Sequence, residues 1–262
     1  MDEQLTEKYK TLQSIISQYN SAIIAFSGGI DSSLVAYVAG EVLGIDALAI
    51  TSGSASLKKS DLHLAKTLGK DWGLSHEIIV TDELSKAAYR RNPVDRCFHC
   101  KTSLYTSLDT ICKERGIEVI FNGTNLDDLG DHRPGLVAAE NYQVCSPLVE
   151  AGFHKDDVRQ LANEIGLKNA DKPQSACLSS RFPYGTSIDK QLLAQVEEAE
   201  KVLESLGFTQ FRVRHHGDLA RIEVTEPEIE KAMGYRFQIL SLIHISEPTR
   251  LLSISYAVFC LK

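Results

Sequence analysis

Short apolar runs alternate with amphipathic stretches along the first two thirds of this chain, and no other feature restricts the fold as much. Residues 22–26, 47–51, 76–80 and 119–122 are brief and largely apolar, while 31–43, 57–72 and 103–115 carry apolar residues at helical spacing. Strands this short, apolar on both faces and separated by helices, imply βαβ units and a parallel sheet covered on both sides. Leu5, Tyr9, Leu12, Ile15, Ile16 and Tyr19 predict an amphipathic opening helix. A further helix is expected over 155–165, with Gly166 at its C-cap.

The pattern changes past residue 170. Residues 172–185 are turn-rich, 189–206 read as a long helix closed by Gly207, and 211–214 and 220–224 alternate with the period of half-exposed strands. Thr225 stands where it could cap a short helix over 226–233, with Glu228 completing a capping box. An α/β domain over 1–174 and a smaller α+β domain over 175–239 are therefore expected.

Residues 240–262 are set apart from that reading. Leu240-Ser241-Leu242-Ile243-His244-Ile245-Ser246-Glu247-Pro248-Thr249-Arg250 and the stretch 254–262 are both similar to in-frame translations of a common sequencing adaptor. They are expected to be a processing scar rather than folded protein, with the native C-terminus truncated near residue 239.

Composition narrows the function classes. The chain has 262 residues, 43% apolar and 24% charged, which is ordinary for a globular protein and long enough to bury a core without disulfide staples. No apolar run approaches the ~20 residues of a membrane helix, and the polar residues 1–10 do not resemble a signal peptide. A soluble, cytoplasmic protein with no membrane partner is expected. Its net charge of −7 also disfavours binding to nucleic acid. The six cysteines stand at 97, 100, 112, 145, 177 and 260; in such a chain clustering points to metal or catalysis rather than a disulfide framework.

Ser27-Gly28-Gly29-Ile30-Asp31-Ser32 follows the first strand and opens a helix. Glycines there let backbone amides approach oxyanions, and the helix N-terminus adds its dipole and unpaired N–H groups. Ser27 and Ser32 add hydroxyls, and Asp31 could hold Mg2+ or accept a hydrogen bond. The lysine of a Walker A loop and the Gly-x-Gly-x-x-Gly of a dinucleotide fold are both missing. Asp127, Asp128 and Asp131 are further candidates for Mg2+, or simply a solvated loop.

Cys97-Phe98-His99-Cys100 places two thiols at a chelating distance, and Cys177 is a third candidate ligand. Three cysteines without a fourth suit an iron–sulfur cluster with one open iron. His99 could instead complete a Cys3His zinc site, and a redox pair or simple packing also fits. Arg96, Lys101 and Arg181 would lower the pKa of neighbouring thiols. Cys112 and Cys145 read as core.

The hexapeptide resembles the pyrophosphatase loop (PP-loop) of the N-type ATP pyrophosphatases. Together with Arg133-Pro134-Gly135-Leu136, the stretch from Cys177 through Ser179-Ser180-Arg181-Phe182-Pro183-Tyr184-Gly185, and Val213-Arg214 before Ala220-Arg221-Ile222-Glu223, the chain resembles the LarE family of ATP-dependent sulfurtransferases. The resemblance covers nearly all of residues 5–239. It implies a Rossmann-like, adenine nucleotide α-hydrolase-like sheet, and ATP bound at Ser27, Gly28, Gly29, Asp31 and Ser32. The implied substrate is pyridinium-3,5-biscarboxylic acid mononucleotide, adenylated on a carboxylate and converted to a thiocarboxylate, with its phosphate held by Ser180, Arg212 and Arg214. Arginines at i and i+2 of a strand do project from one face and can fork a phosphate; solvation of a polar strand face is the plainer alternative. One branch of the family sacrifices a cysteine at the position occupied here by Ala176 and lacks the Cys-x-x-Cys. This chain instead resembles the branch in which Cys97, Cys100 and Cys177 hold a 4Fe-4S cluster whose bound sulfide, replenished from a sulfide source, attacks the acyl adenylate. Sacrifice of Cys177 itself, or another PP-loop reaction such as tRNA thiolation or amidation, remains open on sequence grounds, as does a zinc-stabilised nucleotide-binding module. The resemblance also implies a homo-oligomer assembled through the smaller domain.

Overall fold

The computed structural model describes residues 1–130, 134–173, 175–217 and 219–239, and the backbone of one later strand, Val258–Leu261. The chain forms two compact units, Met1–Glu83 with Asp95–Ser175, and Leu84–Val94 with Ala176–Lys262.

The first unit is the βαβ body. After helix α1 (Glu3–Ile16) come β1 (Ala22–Ala25), α2 (Ile30–Leu43), β2 (Ala47–Ser52), α3 (Lys59–Asp71) and β3 (Ser75–Ile79). The chain then contributes α4 (Ala87–Arg90) to the second unit and returns through α5 (Arg96–Arg115), β4 (Val119–Phe121), α6 (Pro134–Asn141), α7 (Pro147–Glu150) and α8 (Lys155–Glu164). The four strands lie in the order β3-β2-β1-β4, every pairing parallel, with Ala22 opposite both Ala47 and Val119. This is the parallel α/β sheet that the alternation predicts, of the Rossmann-like kind that the resemblance implies.

Alternate residues of β1 explain how both faces are covered. Ala22 and Ile24 join Leu12, Leu34, Val38 and Leu161 on one side. Ile23 joins Tyr105, Leu108 and Ala138 on the other. Each fully buried aliphatic side chain contributes about 1.5–3 kcal/mol, so a strand with no polar face is held only between two helical layers. Strand order reverses between β1 and β4, which leaves a crevice at their C-terminal ends.

In the second unit, α9 (Lys190–Ser205) starts at Asp189, whose carboxylate accepts from the Leu192 amide at 2.8 Å. Its buried stripe of Val196, Ala199 and Leu203 recurs at helical spacing. Ala199 and Leu203 cluster with Val213, Ile222 and Val224 of the antiparallel pair β5 (Phe211–His216) and β6 (Leu219–Val224). Helix α10 (Ile229–Gly234) follows, and β7 (Val258–Leu261) runs parallel to β6. The expected scar over 240–262 otherwise lies outside the described residues.

Residues 84–94 are pinned within this unit. The Tyr89 hydroxyl meets Ser179 Oγ at 2.6 Å, and the Asn92 amide donates to the Pro183 carbonyl at 2.7 Å. The Gly185 and Ile188 amides donate in turn to the Asn92 and Arg90 carbonyls, each at 2.8 Å.

Two local expectations are corrected. Helix α5 begins at Arg96 rather than 103, because its first turn buries Arg96 and leaves Cys97 exposed, so no apolar period marks it. The capping box at Thr225 does not form: the Thr225 hydroxyl donates to the Glu228 carboxylate at 2.7 Å, and 226–228 wind as a 3-10 turn before α10. Among the described residues no helix is long and apolar enough to cross a membrane.

Candidate functional site

The loop between β1 and α2 opens onto the crevice. Gly28 takes φ +72°, a conformation L side chains avoid, and a Cβ there would lie 3.3 Å from Ala65. Gly29 is the N-cap of α2 and has no side chain to cap it, so the first amides of the helix are left for an anion. The loop is stiffened from within. Ser32 Oγ accepts from the Ser27 amide at 3.2 Å and donates to the Gly29 carbonyl at 3.1 Å. Ser27 Oγ stands 3.0 Å from Ser32 Oγ. Ser27, Gly28, Gly29, Asp31 and Ser32 thus form one continuous cradle.

Opposite lies the segment after β4. A Cβ on Gly123 would fall 2.5 Å from the Ser32 nitrogen and 2.8 Å from the Asp31 carbonyl carbon, so the two loops touch backbone to backbone. Asn125 Nδ2 donates to Asp31 Oδ1 at 3.0 Å, and Lys155 Nζ, from the first turn of α8, pairs with Asp31 Oδ2 at 2.5 Å. Both carboxylate oxygens of Asp31 are held. Lys155 brings a cation to a loop whose sequence contains none, and the motif reading missed it because it lies 124 positions further along the chain.

Among the described residues, the loop carboxylates Asp127 and Asp128 are engaged locally. Asp127 accepts from His154 Nδ1 and from the Lys155 amide, both at 2.7 Å, and these bonds hold its carboxyl below the usual range. Asp128 accepts from the Asn125 amide at 3.1 Å. Asp131 and Arg133 lie outside the described residues.

Cys97 and Cys100 sit three apart on the first turn of α5, on one helix face. Cys97 is exposed and Cys100 half-buried. His99 reaches back toward Asp95, Nε2 to Oδ2 at 3.7 Å. Cys177 belongs to the second unit, where it precedes the 3-10 turn Leu178–Arg181. Among the described residues no group of three or more His, Cys, Asp and Glu side chains is placed to hold a metal ion. The helix pair fits two positions of such a centre, and the donor chemistry is that of a thiolate-bound metal. Cys112 is core-like, its thiol pushed up to about 11 by burial and then by Asp109. Cys145 packs against the first unit's core.

The anion-binding candidates of the second unit differ from one another. Ser180 Oγ donates to the Cys177 carbonyl at 2.8 Å. Arg214 Nε pairs with Glu223 at 2.7 Å, and its Nη1 donates to the Ser180 carbonyl at 3.1 Å. Glu223 also takes Arg221 at 2.7 Å. Arg181 is not a free countercharge for thiolates: its guanidinium lies side-on to buried Glu200, Nε to Oε1 at 2.7 Å and Nη2 to Oε2 at 3.2 Å. Among the described residues the Arg212 side chain has no hydrogen-bond or ion-pair partner. Burial, then the charges of Arg181 and Arg214, push it below its ordinary pKa. Of the two strand arginines, Arg214 is already committed and Arg212 is open to an anion.

Known proteins show similarity over most of this length. The NAD synthase family profile matches residues 5–97. An uncharacterized protein of Synechocystis sp. is 41% identical over 227 residues, 87% of this chain and 85% of that protein. Pyridinium-3,5-bisthiocarboxylic acid mononucleotide synthase of Lactiplantibacillus plantarum is 39% identical over 252 residues, 91% of each chain. The tRNA-specific 2-thiouridylase MnmA of Rickettsia bellii is 29% identical over 72% of this chain and 62% of its own.

Proposed function

We infer the activity from kinship: the chain belongs to the LarE family, that of pyridinium-3,5-bisthiocarboxylic acid mononucleotide synthase. It is an ATP-dependent sulfurtransferase that converts a carboxylate of pyridinium-3,5-biscarboxylic acid mononucleotide to a thiocarboxylate. The observation that carries this reading is the 39% identity along 91% of the chain, joined to an anion cradle at the sheet's switch point.

In the reaction proposed, a substrate carboxylate oxygen attacks the α-phosphorus of ATP, the bond to the bridging oxygen breaks, and pyrophosphate leaves with the electron pair. A hydrosulfide then attacks the acyl carbon, AMP departs with the C–O electrons, and the S–H proton is released to solvent, leaving the thiocarboxylate. The amides at Gly29 and the start of α2 and the Ser27 and Ser32 hydroxyls hold the polyphosphate, and Lys155 meets its charge. Asp31, paired with Lys155, would hold Mg2+ when the ion is bound with the nucleotide, and the ion would supply charge neutralisation of the polyphosphate. Arg212 binds the substrate phosphate with Ser180, and Arg214 holds Ser180 in place.

For the sulfur we propose the cluster route, with Cys97, Cys100 and Cys177 as ligands. Support comes from three thiols without a fourth and from the shared helix face of the first two. When bound, a 4Fe-4S cluster would supply the hydrosulfide from its open iron, recharged by external sulfide. We place the protein in the cytoplasm, and as a homo-oligomer through its smaller unit, where Met233, Tyr235 and Phe237 leave apolar surface exposed.

Anaerobic reconstitution with iron and sulfide, followed by ATP-to-AMP turnover with the pyridinium dicarboxylate mononucleotide, tests this reading. Multiple turnovers dependent on sulfide are expected, with Cys97→Ala, Cys100→Ala and Cys177→Ala each losing them. Activity kept in the first two variants and lost in the third would assign the sulfur to Cys177; no AMP formed by wild-type protein would overturn the reading altogether.

A further inference from the structure

Asn169 lies after α8 and is almost wholly buried, with only 3% of its surface exposed. Its amide nitrogen donates twice, to the Gly28 carbonyl at 3.1 Å and to Ser33 Oγ at 2.8 Å. Its side-chain oxygen is buried without a hydrogen-bond partner among the described residues. A buried amide oxygen left unsatisfied is a cost that packing alone does not offset. Both of its donors are directed at the nucleotide loop and the first turn of its helix.

The geometry points to Asn169 as a positioning residue that fixes the Gly28–Gly29 peptide plane for polyphosphate binding, an inference that rests on the ATP-dependent reading of this loop. A trans peptide carries its carbonyl and its N–H on opposite sides. With the Gly28 oxygen held inward by Asn169, the Gly29 N–H is turned outward. The structure shows where it goes: that amide lies on the open side, 3.3 Å from Ser27 Oγ, a long contact that an anionic oxygen would replace. Glycine on both sides makes this peptide the least restrained of the loop. Gly28 at φ +72° could flip the plane at little steric cost, presenting a carbonyl to the phosphates in place of a donor. Asn169 opposes that flip. The second bond, to Ser33 Oγ, ties the same amide to the α2 turn whose free N–H groups complete the cradle, so loop and helix end are registered by one side chain.

The test is ATP binding, measured by equilibrium dialysis of labelled MgATP against the full chain, with thermal melting alongside. Asn169→Leu removes both donors together with the orphaned oxygen. Expected is a modest fall in melting temperature, because the Gly28 carbonyl and the Ser33 hydroxyl lose their donor, with ATP affinity of the folded protein reduced roughly tenfold, the equivalent of one well-made hydrogen bond. Affinity within about threefold of wild type, a difference below what such a bond is worth, would overturn the inference. Asn169→Asp keeps the shape and provides an internal control should the leucine variant melt early. A protonated carboxyl can donate to the Gly28 carbonyl and an ionised one can only repel it. ATP affinity of Asn169→Asp should therefore be regained as the pH is lowered, relative to wild type at each pH; a constant ratio across pH would count against the role. Wild-type protein that binds no MgATP would mark failure of the functional reading instead, since the variants would then have nothing to lose.

Discussion

Lys155 and Asp31 pair across the crevice between the β1 and β4 loops, and Asn125 occupies the other Asp31 oxygen at 3.0 Å. The cradle therefore carries an internal counterion where a nucleotide would bring its own negative charge and metal. Lys155→Met is expected to lower kcat/KM for ATP at least tenfold, the scale of one charge-assisted contact, and to shift the Mg2+ dependence, because Asp31 is then unopposed. AMP formation across a magnesium titration measures both.

Gly123→Ala tests the contact of the two loops. Its Cβ would lie 2.5 Å from the Ser32 nitrogen, where backbone and not a yielding side chain stands in the way. A stability loss of about 1–3 kcal/mol is expected from the forced shift. Denaturant unfolding gives the first quantity, and ATP binding should fall with it because Ser32 must move.

Arg212→Ala and Arg214→Ala should separate binding from stability. Arg212 has no side-chain partner among the described residues, so its loss should leave the melting temperature near wild type and raise KM for the mononucleotide substrate. Arg214→Ala releases Glu223 and the Ser180 carbonyl, and should cost roughly 1–3 kcal/mol of stability as well. Paired melting and substrate titrations would show equal effects if the two arginines were interchangeable.

Acid should weaken this fold through particular carboxylates. Burial alone would push Glu223 up, but Arg214 and then Arg221 outweigh it and leave its carboxyl below the ordinary value. Asp157 behaves likewise, with Lys8 and the His154 amide outweighing burial. A group whose pKa is lower folded than unfolded binds more protons when unfolded, so its stabilisation is present above the unfolded value near ~4 and fades as pH falls through the folded one. Melting temperature should therefore drop below about pH 4, and Glu223→Gln should show a shallower drop between about pH 5 and pH 3 than wild type.

The sheet was legible because its signal is periodic: four short apolar runs with helices between them, and a glycine turn that only one kind of loop requires. Residues 27–32 could be read directly for the same reason, since the chemistry sits in six consecutive positions. Lys155, Asn125, Gly123 and Asn169 could not. Each acts through a tertiary approach to that loop from at least 90 positions away, and an isolated lysine, asparagine or glycine carries no pattern of its own. The strand arginines show the opposite failure. Their spacing gave a shared face, but whether each charge was free or already paired depended on Glu223, which no spacing rule connects to Arg214.

The passage of residues 84–94 into the second unit has a consequence for synthesis and for dissection. These residues leave the ribosome well before 179–188, the stretch that Tyr89, Arg90 and Asn92 grip, so this early strap must wait for the rest of its own unit to be made. A fragment ending at 175 would deprive Tyr89 of Ser179 and Asn92 of Pro183, and one beginning at 176 would lack Tyr89 and Asn92. Neither half can be lifted out as a contiguous cassette, and grafts or gene fusions cut at that junction should yield insoluble material unless residues 84–94 travel with the C-terminal piece.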